Sequence, residues 1–345
     1  MNRPKILLIT GAPTKLTYYN HYINYFKRKK DLLYYNTNLR CGAKEFCKQK
    51  GFSPDVILFD HYYADQFIFK DNIQSDLLAG LDGCIKILHS HKDMYPVTMR
   101  KIKSFCDQFN IKNLFHINAK IFDEVTALGE FTDQKRNQKI NFDDFYSGLN
   151  YHPIEYGFEQ STFGDIDCVV EKTECLNYAG VVGNHPEDSP LGMRKDFLNL
   201  ASKICERNDF SYHFLRDKKH RNTEDYSRSM LRSRITIDTP TIGGHISARL
   251  FEIPLHKSAI MVFEDEIYND ILEDGVDSII IKRDFSDLEE RLRFYLTDNE
   301  GKLSLEKIID NAYHKFNDKH TIINRLEYML KLSGVCDTKL VYEDI

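Results

Sequence analysis

No stretch of this 345-residue sequence is apolar for the length a bilayer requires, so nothing in it reads as a membrane-spanning helix. The opening apolar run, Ile6 to Ile9, stops at Thr10-Gly11 and is too short for the core of a secretion signal. Close CxxC pairs are missing as well. The eight cysteines, Cys41, Cys47, Cys84, Cys106, Cys168, Cys175, Cys205 and Cys336, are scattered, which argues against zinc or thioredoxin-type centres and suits a reducing compartment. The expectation is a cytoplasmic protein with no metal site. There is also no excess of positive charge. A formal net charge of -5 and a pI of about 6.2 give no overall attraction to phosphate backbones or anionic lipid. The basic runs at residues 27–30 and 216–221 read as solvated faces or loops, and nucleic acid is a disfavoured partner. No solenoid-length period and no low-complexity tract occurs.

What the sequence does contain is material for packed cores. Hydrophobic residues make up 42% and charged residues 29%, a globular balance, and the length suits two domains of ordinary size. Short β-type runs recur, each followed by a polar or glycine-containing turn and then an amphipathic stretch, the pattern of βα units around a parallel sheet. In the first half the runs lie at residues 5–10, 55–60, 85–89 and 113–117, with a crossover helix between Arg100 and Asn110. From Asp123 to about Gly157 the periodicity fades into a polar insertion and connector. A second series lies at residues 178–183, 210–214, 235–238, 258–263 and 278–281, with helical spacing at residues 194–207 and 288–296. Ligands of open α/β sheets bind beyond the carboxyl ends of the strands, and two such domains facing each other create a cleft. Functional residues are therefore expected just after strands.

The most informative stretch is residues 241–258. It follows the strand at residues 235–238 and opens a helix. Gly243 and Gly244 let the backbone approach a ligand closely, and the amides of a helix start favour an anion such as a pyrophosphate. Arg249 and Glu252 are three residues apart on one helix face, where a cation and a carboxylate can be presented together to a phosphate and a sugar hydroxyl. The plainer alternative is a loop before an ordinary helix whose Arg249 and Glu252 pair with one another. Pro254 bends or ends that helix.

Here the sequence resembles a known family. Arg249-Leu250-Phe251-Glu252-Ile253-Pro254, the strand Ala259-Ile260-Met261-Val262, the turn Glu273-Asp274-Gly275-Val276-Asp277, the helix start Asp287-Leu288 and the late His320-Thr321-Ile322-Ile323-Asn324-Arg325 are similar to the carboxyl-terminal domain of the spore-maturation CgeB-like glycosyltransferases, within the GT-B superfamily. The resemblance covers about the last half of the chain; the amino half matches only in its order of elements. It implies an α/β GT-B fold, two Rossmann-like domains with parallel sheets facing an interdomain cleft. Residues 1–158 would form the acceptor domain, 159–320 the donor domain, and 321–345 a terminal helix returning to the first. It also implies that Glu252 binds the nucleotide ribose, that Gly243, Gly244 and His245 lie against the donor phosphates, and that Arg194 and Lys195 neutralise the diphosphate leaving group. The implied co-substrate is a UDP- or GDP-linked sugar, with no other cofactor and no essential metal. The chain departs from the family where His256-Lys257-Ser258 stand at positions more often small or glycine.

In the amino half, the turn holding Gly11 and Thr14 is placed to line the acceptor side, and it matches neither GxGxxG nor a P-loop. His89-Ser90-His91-Lys92-Asp93 follows a strand directly and holds residue types suited to proton transfer or phosphate contact. His91 and Asp93 are the candidate catalytic groups, with Asp60 after the second strand a further one and His89 on the acceptor side. No third ligand at diagnostic spacing turns His89 and His91 into a metal pair. The segment His152-Pro153-Ile154-Glu155-Tyr156-Gly157 reads as a hinge. Three functions fit this pattern: transfer of a sugar from a nucleotide sugar to a hydroxyl-bearing acceptor, a nucleotide-sugar epimerase or hydrolase on the same scaffold, and a non-catalytic nucleotide-binding module.

Overall fold

The runs that are apolar at successive positions become strands buried on both faces, because each alternate residue feeds a different core. The computed structural model describes residues 3–10, 20–36, 41–60, 77–90, 96–117, 124–127, 138–141, 146–163, 170–180, 190–215, 223–240, 246–337 and 339–344. Its chain divides into two units: one holds Met1–Thr14, Tyr19–Glu159 and Ile322–Ile345, the other Gln160–Thr321. The fold class is α/β, with a parallel sheet in each unit.

The first unit contains β1 (Ile6–Thr10), β2 (Leu32–Asn36), β3 (Val56–Asp60), β4 (Ile85–Ser90), β5 (Asn113–Ile117) and β8 (Asn150–Ile154), ordered β2-β1-β3-β4-β5-β8 and all parallel. A separate antiparallel pair, β6 (Glu124–Ala127) and β7 (Gln138–Asn141), lies in the stretch expected to be a polar connector. Leu7, Ile9, Ile57, Phe59, Leu88 and Leu114 pack on one side of the large sheet against Ile102, Phe105, Cys106 and Phe109 of α3 (Pro96–Phe109). Ile6, Leu8, Val56, Leu58, Ile87 and Phe115 pack on the other side against α1 (His21–Phe26) and the carboxyl-terminal α9 (Ile322–Leu332). α2 (Ala43–Gln49) follows β2.

Two strands of this sheet lack the signature that identified the others, and both are at its edges. In β2 only Leu32 and Tyr35 are buried. In β8 Pro153 interrupts the run, which an edge strand tolerates because one side of its backbone needs no partner. The residues read as a hinge are thus partly strand. Their continuation is anchored by α9: Arg325 Nε donates to the Tyr156 carbonyl at 2.9 Å, Arg325 Nη2 pairs with Glu155 at 3.2 Å, and the Ile322 amide donates to the Phe158 carbonyl at 2.9 Å.

The second unit is ordered β10-β9-β11-β12-β13, again all parallel: β9 (Glu174–Ala179), β10 (Tyr212–Leu215), β11 (Ser233–Ile237), β12 (Ala259–Phe263) and β13 (Ile279–Ile281). β9 begins four residues before the run expected at residue 178, because its first positions, Glu174 and Cys175, are only half-buried and read as polar surface. Leu176, Tyr178, Ile235, Ile237, Ala259 and Met261 pack against α4 (Pro190–Asn208), α7 (Leu288–Thr297) and α8 (Asn299–Lys319). The opposite face is more polar: Thr236 and Ser258 meet hydroxyl to hydroxyl at 2.8 Å, and Asn177 is fully buried beside them in register. α5 (Thr223–Leu231) and α6 (Ala248–Glu252) belong to this unit.

Among the described residues no helix is long and apolar enough to cross a membrane, and the seven described cysteines form no disulfide. Because Leu326 of α9 is almost wholly enclosed against the first sheet, Leu326→Ala should leave a cavity and destabilise the first unit by about 2–5 kcal/mol. The check is a lower urea midpoint for that unit's transition with the transition of the second unit in place.

Candidate active site

A carboxylate closes the central strand of the second unit. Asp238 follows β11 directly, is fully buried, and its amide donates to the Met261 carbonyl of β12 at 2.9 Å. Its Oδ1 accepts from Ser247 Oγ at 2.5 Å and from Arg249 Nε at 3.2 Å, and its Oδ2 from Tyr268 Oη at 3.4 Å. Burial pushes the carboxyl above its ordinary range, while the Arg249 charge and the Ser247 hydroxyl pull it back.

Arg249 carries the connection further. Nη1 donates to the carbonyl of Ala179, the last residue of β9, at 2.7 Å, and the guanidinium lies 4.6 Å above the Tyr178 ring. One side chain therefore ties the carboxyl ends of β9 and β11 to the start of α6. Burial works against its charge, and Tyr178 and Asp238 more than restore it. Arg249 does not simply pair with Glu252 along the helix; the two side chains engage different partners.

Glu252 ends α6 with 2% of its surface exposed. The Tyr226 hydroxyl of α5 donates to Glu252 Oε2 at 2.5 Å. Next in α5, Ser227 Oγ lies 2.8 Å from His256 Nε2, and His256 Nδ1 lies 2.8 Å from the Glu252 carbonyl. Since a carbonyl only accepts, Nδ1 carries the proton and Nε2 accepts from Ser227. This is a neutral imidazole, and burial lowers its pKa to about 4. The helix ends at a 3₁₀ turn, Pro254–His256, and Lys257 adopts a left-handed conformation with φ 49° and ψ 45°. Such a backbone suits glycine, which gives a physical reason for the small residue expected near here. The Lys257 ammonium rests 5.4 Å over the Tyr313 ring instead of facing the corner.

Arg194, near the start of α4, is buried and donates from Nε to Thr239 Oγ1 at 2.6 Å and from Nη2 to the Pro240 carbonyl at 2.5 Å. It holds the chain that leads toward residues 241–245. Burial lowers its pKa. Lys195 beside it is exposed. Gly243, Gly244 and His245 lie outside the described residues.

In the first unit Asp60 closes β3, almost fully buried, and accepts from Thr10 Oγ1 of β1 at 3.0 Å. His89 of β4 is fully buried, its ring edge-on to Tyr22 of α1 at 5.4 Å. The Tyr22 phenol is raised well above its ordinary value by burial and then by Asp60. Asp60, Thr10, His89 and Tyr22 thus gather at the carboxyl ends of β1, β3 and β4, where parallel sheets bind ligands. His91, Asp93, Gly11 and Thr14 lie outside the described residues.

Sequence reasoning singled out Arg249, Glu252 and Asp60 but not Asp238, Tyr226 or Tyr22. For Asp238 a signal existed: an acid closing a buried strand. Tyr226 has none, because one tyrosine among twenty on an amphipathic helix looks like core. Among the described residues no group of three or more His, Cys, Asp or Glu side chains is arranged around a metal position.

Residues 198–331, less than half of the chain, match the family model described as "Glycosyl transferase-like". No curated protein matches the sequence. Among solved structures, an α-glucosyltransferase in complex with UDP-glucose and DNA containing an abasic site is similar at a TM-score of 0.55 and 9% identity, with 95% of this chain and 98% of that chain covered. HepE from Anabaena in complex with UDP-glucose is similar at a TM-score of 0.53 and 11% identity, with 97% of this chain and 100% of that chain covered. At such identities the likeness is one of fold, and that fold is the GT-B type with two parallel α/β sheets.

Two outcomes follow from the geometry of the second unit. A Cβ on Gly180 would stand 2.6 Å from Tyr178 Oη and 2.7 Å from Arg249 Nη1, both held in place, so Gly180→Ala should cost about 1–3 kcal/mol in equilibrium unfolding of this unit. His256 binds a proton in the unfolded chain at about pH 6.5 but in the folded chain only near pH 4. Its contribution is therefore complete above about pH 6.5 and falls as the pH drops toward about 4, by roughly 3 kcal/mol in all. Stability measured across that window should lose this slope in His256→Gln.

Proposed function

We propose that this chain is a nucleotide-sugar-dependent glycosyltransferase of the CgeB-like kind, acting in the cytoplasm and moving a sugar from its donor to a hydroxyl-bearing acceptor. The observation that carries this reading is the corner formed by Asp238, Arg249 and Glu252. Its polar groups converge at the carboxyl ends of parallel strands, inside the stretch that matches the glycosyl transferase-like model. Both solved structures described above hold UDP-glucose, which makes UDP the first nucleotide to test and GDP the second.

In this reading each unit has one task. The second unit, 160–321, binds the donor. Glu252 accepts from the ribose hydroxyls, a charged acceptor fixed in direction by its own hydrogen bonds. Glycosyl transfer releases a nucleoside diphosphate, and the charge that grows on it needs cations and amides already in place. Lys195, exposed on α4, supplies a reachable ammonium, Arg194 adds a fixed positive charge while holding Thr239 and Pro240, and Gly243, Gly244 and His245 complete the phosphate contact. With these cations the proposed reaction uses no essential metal. The first unit binds the acceptor and supplies the base for an inverting transfer from His91, Asp93 or Asp60.

Thermal unfolding with UDP, GDP and their glucose or mannose conjugates tests the donor assignment, since a ligand of the folded form raises the midpoint with concentration. The expected result is a rise with one nucleotide class and a loss of affinity of about tenfold or more in Glu252→Ala without unfolding. Unchanged affinity in that variant contradicts the ribose contact. Sugar release from donor alone, without any acceptor, would favour a hydrolase.

A further inference from the structure

α5 holds Glu252 at two points from two consecutive residues. The Tyr226 hydroxyl takes its carboxylate at 2.5 Å, and Ser227, through the neutral His256 ring, takes its main-chain carbonyl, each step 2.8 Å. From behind, Phe251 packs against Phe316 of α8 and against His320, with ring centroids 5.7 Å and 5.2 Å away. The Phe163 ring stands edge-on to His256 at 4.8 Å, and Lys172 donates to the His256 carbonyl at 3.0 Å. The last turn of α6 is therefore clamped on every side for which a contact is described.

A glutamate side chain free to rotate loses conformational freedom when it engages a ligand. In Glu252 part of that loss occurs on folding, because the phenol holds Oε2 in place. Burial, followed by the Glu252 charge, raises the Tyr226 pKa well above its ordinary value. The phenol stays protonated and acts only as donor toward the carboxylate. A carboxylate accepts about four hydrogen bonds, and the phenol takes one of them.

We infer that Tyr226 is a positioning residue that aims the Glu252 carboxylate at a vicinal diol, so that the chain selects ribonucleotides over 2′-deoxyribonucleotides through a group that touches neither. This rests on the reading above, in which Glu252 meets the ribose. Ser227 and His256 serve the same end by fixing the turn that carries Glu252. Sequence offers no direct sign of this pair, and neither residue was a candidate for the site.

Isothermal titration of UDP, 2′-deoxy-UDP, GDP and 2′-deoxy-GDP tests it in the wild-type chain and in Tyr226→Phe, Ser227→Ala, Glu252→Ala and the Tyr226→Phe/Glu252→Ala double variant. The wild type should prefer the ribonucleotide by about tenfold, the value of one charge-assisted hydrogen bond of about 1.4 kcal/mol. Tyr226→Phe should narrow that preference to about two- to threefold while affinity for inorganic diphosphate stays as in the wild type. Ser227→Ala should narrow it less, and in the Glu252→Ala background Tyr226→Phe should add nothing. A Tyr226→Phe variant that keeps the full preference while Glu252→Ala loses it overturns the positioning role and leaves the ribose contact standing. Should Tyr226→Phe fail to fold, an unchanged preference in Ser227→Ala overturns it instead. A wild-type chain that binds neither nucleotide, or a preference indifferent to Glu252, overturns the ribose contact itself.

Discussion

The second unit is organised around a buried ion pair. Asp238 and Arg249 lie 3.2 Å apart with almost no solvent contact, and between them they reach Ser247, Tyr268, the Ala179 carbonyl and the Tyr178 ring. Moving two charges out of water is costly, and their mutual attraction offsets the cost only where further hydrogen bonds satisfy what remains. That condition is met here on both partners. The pair is then less a source of net stability than a constraint: removing either partner strands a buried charge, at a cost of about 3–5 kcal/mol. The ends of β9 and β11 and the start of α6 therefore move together or not at all. Glu252, one turn beyond Arg249, inherits that fixity.

The fold was legible where burial on both faces demanded continuous apolar runs. β1, β3, β4, β5 and β12 come from such runs, and the parallel α/β class follows from their alternation with amphipathic stretches. It was not legible at the edges. β2 and β8 bury only part of their surface, and β8 contains a proline that argues against a strand at any interior position. The β6 and β7 pair consists of polar residues whose sequence resembles a connector.

The candidate site shows the same division in chemical terms. Arg249 and Glu252 stood out because of their spacing, and the structure gives each a defined place. What spacing could not convey is that they point to different partners, since i and i+3 places side chains on one face without fixing where they turn. Asp238 was visible only as the end of a strand, and Tyr226 approaches Glu252 from a helix 26 residues away in sequence. Long-range hydrogen bonds leave no local pattern. The same holds for Thr10 and Asp60, which meet across 50 residues because β1 and β3 are neighbours in the sheet.

Lys257 illustrates how a departure from a family pattern can be absorbed. Its left-handed backbone is a position for glycine, yet His256 before it is locked between Ser227 and Glu252 and Ser258 after it bonds Thr236, so the surrounding contacts dictate the turn. What this corner receives is examined directly by a structure of the chain soaked with UDP. The ribose hydroxyls should lie within hydrogen-bonding distance of the Glu252 carboxylate, with Arg249 still bound to Asp238. A nucleotide seated away from Glu252, or one that contacts only the first unit, would contradict the ribose contact.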